Sequence, residues 1–253
     1  MSRLVFRMMS VVGLLLVGLA LCQTVAFADV SLTLTGTNNN SEDGVYTSPY
    51  QISVNGTNQW LVCDDFETDI STGDSWTAEV NSLATAEGGG AKFTATYEAV
   101  TPTQLGYDYE AAALLAVQIL QNPSDNSTTN QDYSFALWNI FDKSAPLPGS
   151  ALTYESEALT WAQNPSNTIG LSSELAADVS LVNDVVIYTP VYTSGAVIPP
   201  GVAYSPGSQE FFGLSDPVPE GSTVAFLLFD FLVAFGAFFI LRKHLVRRST
   251  ARS

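Results

Sequence analysis

Histidine is nearly missing: the chain of 253 residues holds one, His244, near its C-terminus. The body from Asp29 to Asp230 therefore has no imidazole, which excludes Ser-His-Asp and Cys-His catalysis and any His-ligated zinc site there. Arginine is missing from the same stretch, so no guanidinium clamps phosphate or carboxylate in a bidentate way. Lysine is scarce. Lys92 and Lys143 are the body's two basic residues against 25 acidic ones, a formal charge of −23 that repels nucleic acid. No glycine-rich phosphate loop is present. Of two cysteines, Cys22 lies in a leader-like segment, so the body keeps Cys63 and has no intramolecular disulfide framework. These absences remove most enzyme classes and predict a non-enzymatic protein without a cofactor.

What is present is concentrated at the ends. Arg3 and Arg7 precede an uncharged apolar run, Met8 to Leu21, and Ala26-Phe27-Ala28 puts small residues before Asp29. Basic, apolar, then small-x-small is the order of a secretory signal peptide. It predicts export by the Sec machinery and cleavage by signal peptidase between Ala28 and Asp29. At the other end, residues 223–241 are apolar except for Asp230, and Arg242, Lys243, Arg247 and Arg248 follow. Nineteen residues at ~1.5 Å each suit a bilayer core, and the basic cluster reads as a stop-transfer signal. The sequence thus predicts a signal peptide (1–28), an extracytoplasmic domain (29–192), a Pro-rich tether (193–217), and a C-terminal segment (218–253) with a transmembrane helix over 223–241. Its body would face away from the cytoplasm.

Within the body, Ser31–Thr35 and Tyr50–Val54 alternate with period two, and Trp60–Phe66, Ser75–Val80 and Lys92–Val100 continue a strand pattern. Tyr109–Gln121 is apolar nearly all round and stops at Asn122-Pro123, as a buried helix would. Tyr133–Phe141, Leu152–Gln163 and Ser173–Asn183 are further helical segments. Val185–Tyr192 reads as a strand returning to the sheet, and Gln209–Leu214 resembles a short final strand. The expected class is α+β: an N-terminal antiparallel sheet, a helical insertion, a returning strand and one transmembrane helix.

Asp64, Asp65, Glu67, Asp69 and Asp74 crowd one stretch. Asp65, Glu67 and Asp69 begin like a calcium loop, but Ile70 stands where its central glycine belongs and Trp76 where its bidentate Glu belongs. Solvated acidic residues are the plainer reading. Paired carboxylates also leave open a secreted carbohydrate-active enzyme, which needs two carboxyls facing across a cleft. Trp60, Trp76, Trp138 and Trp161 are either core or the lining of a sugar groove.

Two resemblances extend this reading. Val218-Pro219-Glu220-Gly221-Ser222-Thr223, with the apolar run and the basic cluster behind it, resembles the PEP-CTERM sorting signal, with Gly221 replacing the second proline. The resemblance implies that an exosortase recognises Pro219-Glu220 and removes the C-terminal segment. It also implies a Gram-negative exporter of exopolysaccharide, with the protein at the cell surface or in a biofilm matrix, where extracellular polysaccharide is its partner. Separately, Leu61-Val62-Cys63-Asp64-Asp65 and Ser134-Phe135-Ala136-Leu137-Trp138 are similar to the Cys-Ile-Asp and Gln-x-Ala-Ile-Trp motifs of bacterial surface thioester domains. Those domains join Cys to Gln and trap amines. Here Ser134 replaces the Gln of the second motif and has no acyl carbon, while Gln131 lies about a helical turn away. The resemblance implies shared architecture without a thioester at that pair. An adhesin using Cys63 as a reactive thiol stands as the alternative to a non-enzymatic matrix protein.

Overall fold

The alternation along Tyr50–Val54 is carried through into burial, with Tyr50, Ile52 and Val54 inside and Gln51 and Ser53 partly exposed. In a computed structural model that describes residues 29–42, 44–86, 90–94, 99–125, 127–191 and 208–215, the body strands are β1 (Val30–Thr37), β4 (Tyr50–Val54), β5 (Thr57–Cys63), β6 (Ser75–Ser82), β7 (Val185–Pro190) and β8 (Phe211–Leu214). A separate small ribbon pairs β2 (Ser41–Glu42) with β3 (Val45–Tyr46). The six body strands close on themselves in the order β1-β4-β5-β8-β7-β6. Closure comes from β1, which pairs antiparallel with both β4 and β6.

This closure corrects the expected open α+β sheet with a returning strand. The body is a closed six-stranded antiparallel barrel plus helices. The final strand, β8, seals the gap between β5 and β7; the short final strand read over Gln209–Leu214 forms from Phe211 onward, within the stretch also given to the tether. Closure leaves this sheet without a free edge, which an open sheet would have to protect by other means. The expected strand over Lys92–Val100 is not formed at its described residues: Lys92 and Phe93 are buried irregular backbone, and residues 95–98 lie outside the described residues.

The barrel interior holds Leu32, Leu34, Ile52, Leu61, Trp76 and Phe211, and Cys63 lies among them. Outside it pack α1 (Pro102–Gln121), α2 (Thr128–Phe141) and α3 (Ala151–Ala162), followed by the short α4 (Ser173–Ala177) and a 3₁₀ turn at Val179–Asp184. α1 begins earlier than its apolar run suggests. Thr101 caps it by accepting a hydrogen bond from Gln104 N at 3.1 Å, and Pro102 occupies the first turn, where a missing N–H costs nothing. α1 packs on α2, α3 and β5, which explains why it is apolar on all sides.

The transmembrane helix is corrected as well. Among the described residues no helix is long and apolar enough to cross a membrane, and α1, the longest at 20 residues, is buried within the body. Residues 223–241, on which the span was placed, lie outside the described residues, as do Ala26, Ala28, Val218, Pro219, Glu220, Gly221, Arg242, Lys243, Arg247 and Arg248.

Candidate functional site

Cys63 ends β5 in phase with Leu61, and both side chains enter the barrel while Val62 faces the other way. β8 runs antiparallel beside it, pairing Cys63 with Phe211 and Val62 with Phe212. Gln209 lies two residues before Phe211, so the strand period returns its side chain to the Cys63 face. Cys63 Sγ lies 3.1 Å from Gln209 Oε1, a contact between residues 146 apart in sequence. Both residues are buried, at 1% and 5% exposure.

The amide is held at both ends. Gln209 Nε2 donates to the carbonyl of Asp65 at 3.2 Å and to the carbonyl of Thr68, so Oε1 is the end turned toward sulfur. Sγ in turn accepts the Asp65 N–H at 3.3 Å. Cys63 is anchored through its backbone: its carbonyl accepts from Trp138 Nε1 at 2.9 Å, and its N–H donates to Ser48 Oγ at 3.1 Å. Trp138 reaches this point from α2, the helix whose sequence resembles the second thioester-domain motif.

The residue that follows each of the two along the chain carries a carboxyl. Glu210 accepts from Tyr109 Oη at 2.7 Å, from Lys92 N at 2.7 Å and from Thr189 Oγ1 at 2.6 Å. Asp64 is fully buried, faces Glu210 and meets no donor in regular hydrogen-bond geometry. Burial, and then the neighbouring Glu210 carboxyl, push Asp64 well above the usual carboxylate range. Burial also pushes the Cys63 thiol up, with Asp64 and Asp65 adding to the effect. Tyr109 is raised by burial and by Glu210.

A cleft of about 360 Å³ is bordered by Tyr46, Asp65, Phe66, Thr68 and Trp138, and Gln209 is among its lining residues.

The other candidates separate. Asp65 Oδ1 accepts the N–H groups of Glu67 and Thr68 at 3.1 and 3.2 Å, and its Oδ2 pairs with Lys92 Nζ, whereas Glu67 and Asp69 are exposed. Among the described residues no three His, Cys, Asp or Glu side chains come together as a cation site. Asp64 and Glu210 do face each other, but inside the core and not across a cleft. Trp76, Trp138 and Trp161 are buried and Trp60 is half-buried; Trp76 stacks on Phe211 inside the barrel, and Trp161 Nε1 donates to Pro165 O. Of the four, Trp138 borders the cleft beside Gln209, and they do not line one groove together.

Ser134 donates to the Asn130 carbonyl at 3.1 Å, and Gln131 Nε2 donates to the Ser41 carbonyl at 3.2 Å, so neither meets Cys63. The glutamine that does is Gln209, which reasoning from the α2 motif missed. Its signal was its place at the head of a strand-like apolar run, Phe211-Phe212-Gly213-Leu214. No protein family, no characterised protein and no solved structure matches this chain.

Proposed function

We propose that the body is an exported, non-enzymatic capture domain in which Cys63 and Gln209 form an internal thioester that acylates an external primary amine once. The observation that carries this reading is Cys63 Sγ seated 3.1 Å from the oxygen of an immobilised carboxamide. Sγ adds to Gln209 Cδ, the C–N bond breaks, and the thiol proton leaves with the nitrogen as ammonia. An incoming amine then attacks Cδ, forms an amide and returns the proton to Cys63. No oxidant or cofactor enters either step.

Two features support the reading. Burial pushes the Cys63 thiol up, which disfavours a free thiolate, so the attack rests on proximity. Held against its target it gains an effective concentration that favours acyl transfer over two steps. Burial of both partners shields the bond from hydrolysis, while the cleft gives an amine access to the acyl carbon. Export rests on the signal-peptide pattern around Ala26 and Ala28, and exosortase sorting on Pro219-Glu220. Both belong to the proposal.

Peptide-level mass spectrometry tests it. The Cys63–Gln209 pair is expected about 17 Da light and closed to alkylation, and methylamine should add to Gln209 while freeing the thiol. Gln209→Ala should abolish the deficit. Full sequence mass with an alkylatable Cys63 in denatured, amine-free protein would leave a buried inert thiol and end the reading.

A further inference from the structure

We propose that Lys92 and Asp65 are joined by an intramolecular amide bond, Nζ to Cγ, made within the folded core. The body has two lysines, and they are treated differently. Lys143 pairs with Glu155 at 2.6 Å with its side chain 67% exposed, whereas the Lys92 side chain is 0% exposed and meets Asp65, itself 1% exposed. Burying such a pair as ions takes both from water, a cost that often exceeds their mutual attraction. Condensation removes both charges and leaves a neutral amide suited to a dry core.

The surroundings fit that reaction. Asp65 Oδ1 accepts two backbone N–H groups, from Glu67 at 3.1 Å and Thr68 at 3.2 Å, so the oxygen that becomes the amide carbonyl is already polarised. Oδ2, the oxygen that must leave, is the one facing Lys92 Nζ. The lysine is aimed by its own backbone, because Lys92 N–H donates to Glu210 Oε2 and Nζ reaches the Ser208 carbonyl at 3.3 Å. Nζ donates directly to Oδ2, so the departing protons can pass along that hydrogen bond and no water is needed.

The balance closes without a co-reactant. The ammonium carries three protons; one stays on the amide nitrogen and two pass to Oδ2, which departs as water. The N–C bond replaces a C–O bond and nothing is oxidised. The link would tie the turn at Asp65–Thr68, whose carbonyls hold Gln209 Nε2, to the segment around Lys92. The bond itself does not depend on a thioester.

Full-length Cys63→Ala, which lacks any thioester, separates the two ideas. After denaturation, a Glu-specific protease cuts after Glu67, Glu79 and Glu87 and parts Asp65 from Lys92 in sequence. The expected product is one branched peptide containing both, about 18 Da lighter than the sum of its arms, and stable to methylamine and hydroxylamine. The same digest of the unmutated chain after methylamine treatment gives the same branch, which covers a Cys63→Ala variant that fails to fold. Two linear peptides of full mass, with trypsin cutting freely after Lys92, would overturn the proposal while leaving the thioester reading to its own test.

Discussion

Burial at Asp64 has a consequence that pH can expose. This carboxyl lies against Glu210 in the core, and folding raises it above its ordinary value of 3.8. The native state therefore holds a proton that the unfolded chain releases, and stability must fall wherever that difference exists. The contribution is complete below pH 3.8 and is lost as pH climbs through the higher folded-state value. Thermal melts across a pH series should show the midpoint falling as pH rises from the acid side. Asp64→Asn, neutral at every pH, should flatten that slope; an unchanged slope would assign the effect elsewhere. At this scale sequence reading reached half of the site. Cys63 was legible as the lone thiol between Asp29 and Asp230, and Asp64 and Asp65 as its flanks. Gln209 was not, because a 146-residue contact leaves no local pattern and the α2 motif pointed to Ser134.

Among the elements, β8 links the fold to the site. It is four residues long, yet it closes the barrel between β5 and β7 and sets the position of Gln209 two residues upstream of Phe211. Gly213 lets it fit: a Cβ there would lie 2.7 Å from Leu61 Cδ2 and 2.9 Å from Tyr188 Cε2. Gly213→Ala should therefore cost about 1–3 kcal/mol through overpacking, read by urea denaturation. If Cys63 and Gln209 are joined as proposed, it should also lower the mass-deficient fraction, because displacing β8 moves the amide. A variant as stable as the parent with a full mass deficit would detach β8 from the site. Period-two alternation made β1, β4 and β6 readable, and α1 was readable by its unbroken apolar run. Closure was not, since it needs β1 to pair on both sides and β8 to arrive from beyond a proline-rich stretch. Lys92–Val100 was misread for a different reason. Its alternation resembles a strand, but its buried cation is held by Asp65 and its N–H by Glu210, so those groups bond to side chains and not to a ladder.

Across the whole molecule the charge imbalance acts at a distance that no single contact does. The −23 body draws cations toward it and repels anions, and near the cleft Asp69 adds an exposed carboxylate to that field. If Gln209 Cδ is the acylating centre, this field selects which amines arrive, since attraction raises the local concentration of polycations and leaves neutral nucleophiles unaffected. Screening provides the test, because the Debye length shrinks from about 30 Å at 0.01 M salt to about 8 Å at 0.15 M. The rate of Cys63 thiol release by a linear polyamine should fall several-fold over that range, whereas release by neutral hydroxylamine should barely change. Equal salt dependence for the two would mean that the acidic surface plays no part in choosing the amine. The field would then serve solubility alone, and selection would lie with the shape of the cleft beside Tyr46 and Phe66.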